Sequence, residues 1–254
     1  MFNFIISPKF NSSNKELLEI IENFEKKGQV LVKGKRNTIK TFQFEDLILN
    51  IKAFRVPKLI NKVVYRYFRK SKAKRSFEFA TILTNKGINT PAPIAYYEKF
   101  DKIGLSKSYY ICEHIESDLT YKTLVEEECS DFDNILRQFT RFTYLMHEKG
   151  IEFLDHSPGN TLIKKNSNET YSFYLVDLNR MKFHESLSFH KRMKNFSRLT
   201  PRKDMIAIMS NEYSKISNID ENKVFNEMWK QTQDFQFRFK RKKRIKKKLK
   251  FWKK

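Results

Sequence analysis

The chain is 254 residues long, with 40% hydrophobic and 15% aromatic residues; that suffices to bury a core in one large domain or two modest lobes and excludes wholesale disorder. Lys and Arg outnumber Asp and Glu by 51 to 29, giving a formal net charge of +22, which points to polyanionic partners. No apolar run approaches the roughly 18 residues of a membrane span, the opening Met1-Phe2-Asn3-Phe4-Ile5-Ile6 is too short for a signal peptide, and Cys112 and Cys129 form neither a CxxC pair nor a cluster with the five histidines, so the expectation is a cytosolic chain without a disulfide framework or zinc site.

In chain order, Leu17, Leu18, Ile20, Ile21 and Phe24 recur at helical spacing and predict a helix from Asn14 to Lys27, closed by Gly28. Three β-rich segments follow, Gln29–Val32, Thr38–Phe42 and Leu47–Phe54, separated by polar turns that predict an antiparallel meander with Lys52 on its last strand. Ala73 to Lys86 reads as a helix ending at Gly87 with Glu78 near its middle, and Thr90-Pro91-Ala92-Pro93 forces an extended exit. Ile94–Tyr97 and Ser108–His114 supply two further strands, and between about Glu113 and Thr120 the pattern changes from strands to helices. That change divides the chain into an ATP-binding lobe over 1–115, a catalytic and acceptor-binding lobe over 116–237, and a basic tail over 238–254.

Phe132, Ile135, Leu136, Phe139, Phe142, Leu145 and Met146 predict a long amphipathic core helix ending at Gly150. The loop Asp155-His156-Ser157-Pro158-Gly159-Asn160 follows directly, and Thr161–Ile163 with Tyr171–Leu178 predicts a hairpin that delivers Asp177 back beside that loop. Asp155 and the run from Pro158 also suit a simple turn. Phosphoryl transfer needs a metal over the phosphates, a cation on them and a carboxylate to orient the attacking hydroxyl. Asp155 fits the last role, and Asn160 and Asp177 offer hard oxygen ligands for magnesium. Lys52 fits the phosphate role with Glu78 fixing its position; the alternatives are an edge-strand lysine that guards against aggregation, an ordinary helix-surface acid at Glu78 and a strand-end turn cap at Asp177. His156 is read as structural, since the register aims Asp155 at the cleft.

These residues resemble the protein-kinase-like superfamily. With Val176-Asp177-Leu178-Asn179-Arg180, the segment from Lys72 to Glu78 and Gly87 to Pro93, the chain resembles the lipopolysaccharide kinases of Gram-negative bacteria, in the form of a Kdo kinase, over roughly 28–200. The resemblance implies an α+β, two-lobed protein-kinase-like fold, with an antiparallel sheet plus a helix in the N-lobe and a mainly helical C-lobe. It also implies ATP and Mg²⁺ as cofactors, Glu113 at the lobe junction among the nucleotide-binding residues, and a Kdo-lipid A or core acceptor at the inner face of the inner membrane. No obligate protein partner is implied.

Departures from the protein-kinase pattern redirect the substrate. The turn Lys33-Gly34-Lys35-Arg36-Asn37-Thr38 has one glycine, so Lys35 or Arg36 is expected to contact phosphate by side chain. Phe153 stands two before Asp155, Ser157 replaces a phosphate-binding Lys, and Leu178-Asn179 follows Asp177, which leaves transition-state charge to the metal, Lys52 or a residue such as Arg180. These absences favour a small-molecule or glycolipid acceptor over a protein. Another small-molecule kinase of the aminoglycoside or choline type, a kinase-like pseudoenzyme and a basic binding protein are the rival readings. The segment Arg238–Lys254 carries twelve Lys or Arg and no acid, leaving +10 for the rest, and it suits an anionic membrane surface, with Phe251 and Trp252 at headgroup level, better than nucleic acid or a plain solvated helix end that aids solubility.

Overall fold

The first strand, β1 (Phe2–Ile6), is followed by a 3-10 turn and by α1 (Asn14–Glu22) in a computed structural model that describes residues 1–251, with side chains through Leu249. The meander expected next is formed by β2 (Gln29–Lys33), β3 (Asn37–Phe44) and β4 (Leu47–Phe54). Two helices, α2 (Leu59–Tyr67) and α3 (Lys72–Asn85), lead to β5 (Pro93–Phe100) and β6 (Leu105–Glu113). The six strands make one antiparallel sheet in the order β1-β5-β6-β4-β3-β2. Period-two alternation aims Leu49 and Ile51 of β4 and Ile111 of β6 into a core shared with Leu17 and Ile21 of α1.

The sequence expectation contained no strand at Phe2–Ile6, which pairs with β5 as the sheet's edge, and two further differences arise here. The helix predicted over 14–27 stops at Glu22, because the buried Lys40 ammonium takes the carbonyls of Phe24, Glu25 and Lys27 at 2.6, 3.2 and 3.0 Å. Those carbonyls satisfy a desolvated cation, and the chain turns around it instead of continuing the helix. The second difference is α2, for which the sequence reading assigned no element. It buries none of its nine residues.

The remainder runs β7 (Leu119–Thr120), α4 (Tyr121–Glu126), α5 (Phe132–Glu148), β8 (Ile151–Phe153), β9 (Thr161–Lys165), β10 (Tyr171–Leu175), β11 (Met181–Phe183), α6 (Phe189–Phe196), α7 (Lys203–Ser217) and α8 (Glu221–Phe251). The chain divides into two compact units, Met1–Glu116 with Asp177–Asn179, and Ser117–Val176 with the chain from Arg180 onward. In the second unit α5 presents Ile135, Leu136 and Phe139 to Tyr121 of α4, Phe196 of α6, and Met205, Met209 and Tyr213 of α7. The expected hairpin is β9–β10, paired from Tyr171↔Lys165 to Leu175↔Thr161. The basic segment from Arg238 continues α8 rather than forming a separate element, and its residues through Leu249 are exposed. Trp252, Lys253 and Lys254 lie outside the described residues, so the expectation for Phe251 and Trp252 falls on side chains that the structure does not describe. Among the described residues no helix is long and apolar enough to cross a membrane.

Gly150 follows α5 with φ +71°, and a Cβ there would collide with the His184 carbonyl oxygen. The same close approach holds β8 to its return strand, since His184 N–H donates to Gly150 O at 2.8 Å. Gly150→Ala therefore combines a left-handed backbone with a backbone collision. We expect a loss of about 1–3 kcal/mol, read as a lower urea midpoint at unchanged slope.

Candidate active site

In the first unit, β4 turns Leu49 and Ile51 inward, so Lys52 projects from the opposite face, between Ile39 of β3 and Tyr110 of β6 in the register. Its ammonium lies 3.0 Å from Asp177 Oδ1, and the Lys52 side chain is 12% exposed. Asp177 has φ +58°, a conformation that Asp tolerates better than most residues. Two neighbours hold it there: Asn179 Nδ2 donates to Asp177 Oδ1 at 2.6 Å, and Arg75 Nη1 of α3 donates to the Asn179 carbonyl at 2.8 Å. Burial opposes the Asp177 charge, but the Lys52 ammonium, the Asn179 amide and Lys72 outweigh it and hold the carboxyl below its ordinary value.

The expected Lys52–Glu78 pair does not form in this structure. Glu78 receives Lys70 at 2.8 and 2.9 Å, a residue eight positions before it, while Lys52 is engaged with Asp177. Lys35 and Arg36 line a cleft of about 570 Å³ with Arg55, Lys58, Tyr65 and Lys72. Five of those six side chains are cationic. The Lys72 ammonium shows the consequence: burial lowers its pKa, and Arg36, Lys52 and Arg75 lower it further against the opposing pull of Asp177. This is a field that favours a polyanion. Glu113 lies elsewhere, lining a separate cavity of about 270 Å³ with Ser7, Lys9, Leu47, Thr81 and Thr84.

In the second unit, α5 gives way to Gly150, β8 follows, and the chain then enters the Asp155 loop. β8 is pinned by pairing with β11 and by Asn195 Nδ2 of α6, which donates to the Phe153 carbonyl at 2.8 Å. Asn160 Nδ2 donates to the Asp155 carbonyl at 2.8 Å, which fixes the amide and leaves its Oδ1 as the free donor to a cation. The loop is tied to the hairpin by Val176 N–H, which donates to Asn160 O at 3.0 Å. Asp155 Oδ1 meets the Arg198 guanidinium at 2.8 Å, and Arg198 Nη1 also donates to the Leu154 carbonyl at 3.2 Å. Sequence reasoning missed Arg198 and looked instead to Arg180, whose side chain is exposed. No local signal ties Arg198 to Asp155, because the pairing depends on where α6 ends.

His156 is fully buried between Phe153 and Phe139, with ring centroids 5.5 and 5.6 Å away, and burial lowers its pKa to about 4. A neutral, enclosed imidazole is a packing group, as expected from the sequence. Its neighbour Asp155 is the one that reaches solvent, at 28% exposure.

Asn160 and Asp177 supply oxygen donors of the kind magnesium prefers. Among the described residues no three His, Cys, Asp or Glu converge on a point. A magnesium ion held by one or two side chains and substrate phosphates requires no such cage, so the oxygen chemistry of each residue, Asp177 in the first unit and Asn160 in the second, suits that ion.

A family model described as the Lipopolysaccharide kinase (Kdo/WaaP) family matches residues 23–219. A solved structure described as WaaP in complex with acyl carrier protein superposes with a TM-score of 0.62 at 14% identity, covering 91% of this chain and 98% of that one. The complex of Rio2 kinase with ADP, Mg²⁺ and phosphoaspartate from Chaetomium thermophilum gives 0.47 at 14% identity, covering 92% and 81%. No curated protein matches the sequence. The likeness to WaaP shows a shared protein-kinase-like fold.

Proposed function

Because the chain belongs to the lipopolysaccharide kinase (Kdo/WaaP) family, whose members are phosphotransferases, we propose that it moves the γ-phosphoryl group of ATP to a hydroxyl of a lipopolysaccharide precursor, with Kdo of Kdo-lipid A as the acceptor. The observation that carries the reading is the Lys52–Asp177 pair at 3.0 Å, on a unit whose cleft is lined by Lys35, Arg36 and Lys72. A carboxylate beside an ammonium, with Lys72 of the cationic cleft acting on the same carboxylate, suits a nucleotide with its metal, one group for the ion and the other for the phosphates.

In this reading the acceptor oxygen attacks Pγ as the bond from Pγ to the β–γ bridging oxygen breaks and ADP leaves. The acceptor proton passes to Asp155. Lys52 neutralises charge on the α- and β-phosphates, and Lys35 and Arg36 replace the backbone amides of a glycine-rich loop. Asn160 and Asp177 would hold magnesium, which when bound neutralises phosphate charge in the transition state. Arg198 keeps the Asp155 carboxylate and the Leu154 carbonyl in place. Glu78, held by Lys70, reaches Lys52 only after a change of partner, so its role is assigned to the nucleotide-bound state.

The basic face of α8 is the second part of the proposal. From Arg238 to Leu249 it offers nine cations and no acid, all exposed, and each near an anionic leaflet contributes about 1 kcal/mol. Membrane association at the leaflet carrying the glycolipid follows from that field. The experiment is transfer of labelled γ-phosphate from magnesium-ATP to Kdo-lipid A by the full chain. Label in the glycolipid is the expected result, and label appearing only in an aminoglycoside or choline acceptor would move the assignment to another small-molecule kinase.

A further inference from the structure

The helix α2 is amphipathic with its faces reversed. At about 100° per residue, Leu59, Val63, Tyr67 and Ile60 share one arc, and that arc faces out: Leu59 is 65% exposed, Ile60 82%, Tyr67 67% and the adjoining Phe68 83%. The polar side is the one attached to the protein. Lys62 Nζ binds Asp101 Oδ2 at 2.6 Å, and Arg66 Nη1 donates to the carbonyls of Asp101 and Lys102 at 2.9 and 3.2 Å. The helix backbone sits directly on Gly104, where a Cβ would collide with the Lys62 carbonyl. A surface helix of a soluble protein ordinarily turns its apolar stripe inward. Here three polar contacts and a glycine hold the stripe outward.

The chemistry around the stripe identifies what covers it. Lys58 and Arg69 flank the helix, are exposed, and form no ion pair among the described residues. Lys58, Asn61 and Tyr65 also line the cationic cleft on the helix's inner side. An apolar face with a cationic border is the pattern of a helix lying in the plane of a bilayer interface, where apolar side chains enter the acyl boundary and cations meet lipid phosphates. A protein partner accounts for the apolar arc but gives no reason for the unpaired cations at its border.

We propose that α2 is an interfacial helix that seats the first unit on an anionic membrane leaflet, with Leu59, Ile60, Val63 and Tyr67 inserted and lipid phosphates met by Lys58 and Arg69 at its two ends. The basic run on α8 supplies a salt-sensitive attraction, and α2 supplies the apolar contact that such a run lacks; stable peripheral anchoring takes two signals of this kind. The proposal rests on the glycolipid reading only for why a leaflet is the surface met. Its test contains neither ATP nor acceptor, so the two fail separately.

The full chain is sedimented with vesicles of phosphatidylethanolamine and phosphatidylglycerol. The Ile60→Asp/Tyr67→Asp variant, altered only at exposed positions, should partition about tenfold or more less than the parent, and should lose the binding that the parent retains at about 0.5 M salt. A charge-reversed tail, Lys243→Glu/Lys247→Glu, should instead lose binding at low salt and keep the salt-resistant part. The indole introduced by Ile60→Trp into a Trp229→Phe/Trp252→Phe chain, which has no other Trp, should shift its emission to shorter wavelength on these vesicles and be quenched by brominated lipid. Unchanged partitioning of the double variant, or emission from the Ile60→Trp chain that neither shifts nor quenches on the vesicles, would leave the tail as the sole anchor and overturn the proposal. So would an α2-dependent dimer of the parent in lipid-free buffer, which would make a second copy the occupant.

Discussion

Asp155→Asn should lower kcat for phosphoryl transfer by about 10²- to 10⁴-fold, the range of a lost general base, while leaving the KM for ATP near that of the parent. The substitution keeps shape and the Asp155 backbone carbonyl, so the Asn160 bond at 2.8 Å survives and the fold is not at risk. Arg198 separates position from chemistry. It contacts the carboxylate at 2.8 Å and the preceding carbonyl at 3.2 Å, so Arg198→Ala should lower kcat with little change in KM. Arg198→Lys, which can keep one of the two contacts, should recover part of the loss. A steady-state assay with magnesium-ATP varied across its KM at saturating acceptor reads kcat and KM for each variant. An Asp155→Asn protein within tenfold of the parent would remove Asp155 from the role of base.

The parts of this site that were legible in the sequence are those set by local chemistry. The 3.6-residue period of α5, the Gly150 stop, the Pro158-Gly159 turn and the β9–β10 pairing each follow from a few adjacent residues, and together they place Asp155 and Asn160 on the second unit's loop. What was not legible depends on competition between partners. Glu78 sits on the predicted helix, but Lys70 competes for it just outside the helix and Asp177 competes for Lys52, and spacing cannot rank those contacts. Arg198 reaches Asp155 only because α6 packs Asn195 against Phe153 and delivers the following residues to the loop. The helix α2 escaped because the usual inference from periodicity assumes an apolar face turned to a core, and this one is turned to solvent.

Acid should weaken the second unit well before its carboxylates are neutralised. His147 is fully buried, with Tyr213 Oη 3.2 Å from Nδ1 and Asn195 Oδ1 3.3 Å from Nε2. Burial lowers its pKa to about 3 and that of His156 to about 4. In the unfolded chain both return to about 6.5. The unfolded state therefore binds more protons than the native state below that value, and stability rises with pH there. The full contribution is present above about pH 6.5 and is lost as pH falls toward the native values, at a limiting slope of about 1.4 kcal/mol per pH unit for each ring. Between about pH 6.5 and 5 the two together should remove about 3 kcal/mol. Urea melts followed by Trp229 fluorescence in a Trp252→Phe background measure this, since Trp229 packs against the second unit's core. His156→Phe, placed where the ring already stacks on Phe153 and Phe139, should remove about half of the pH dependence at little cost at pH 7. If the variant keeps the parent's full slope, the imidazole of His156 is not the group that the acid has to charge.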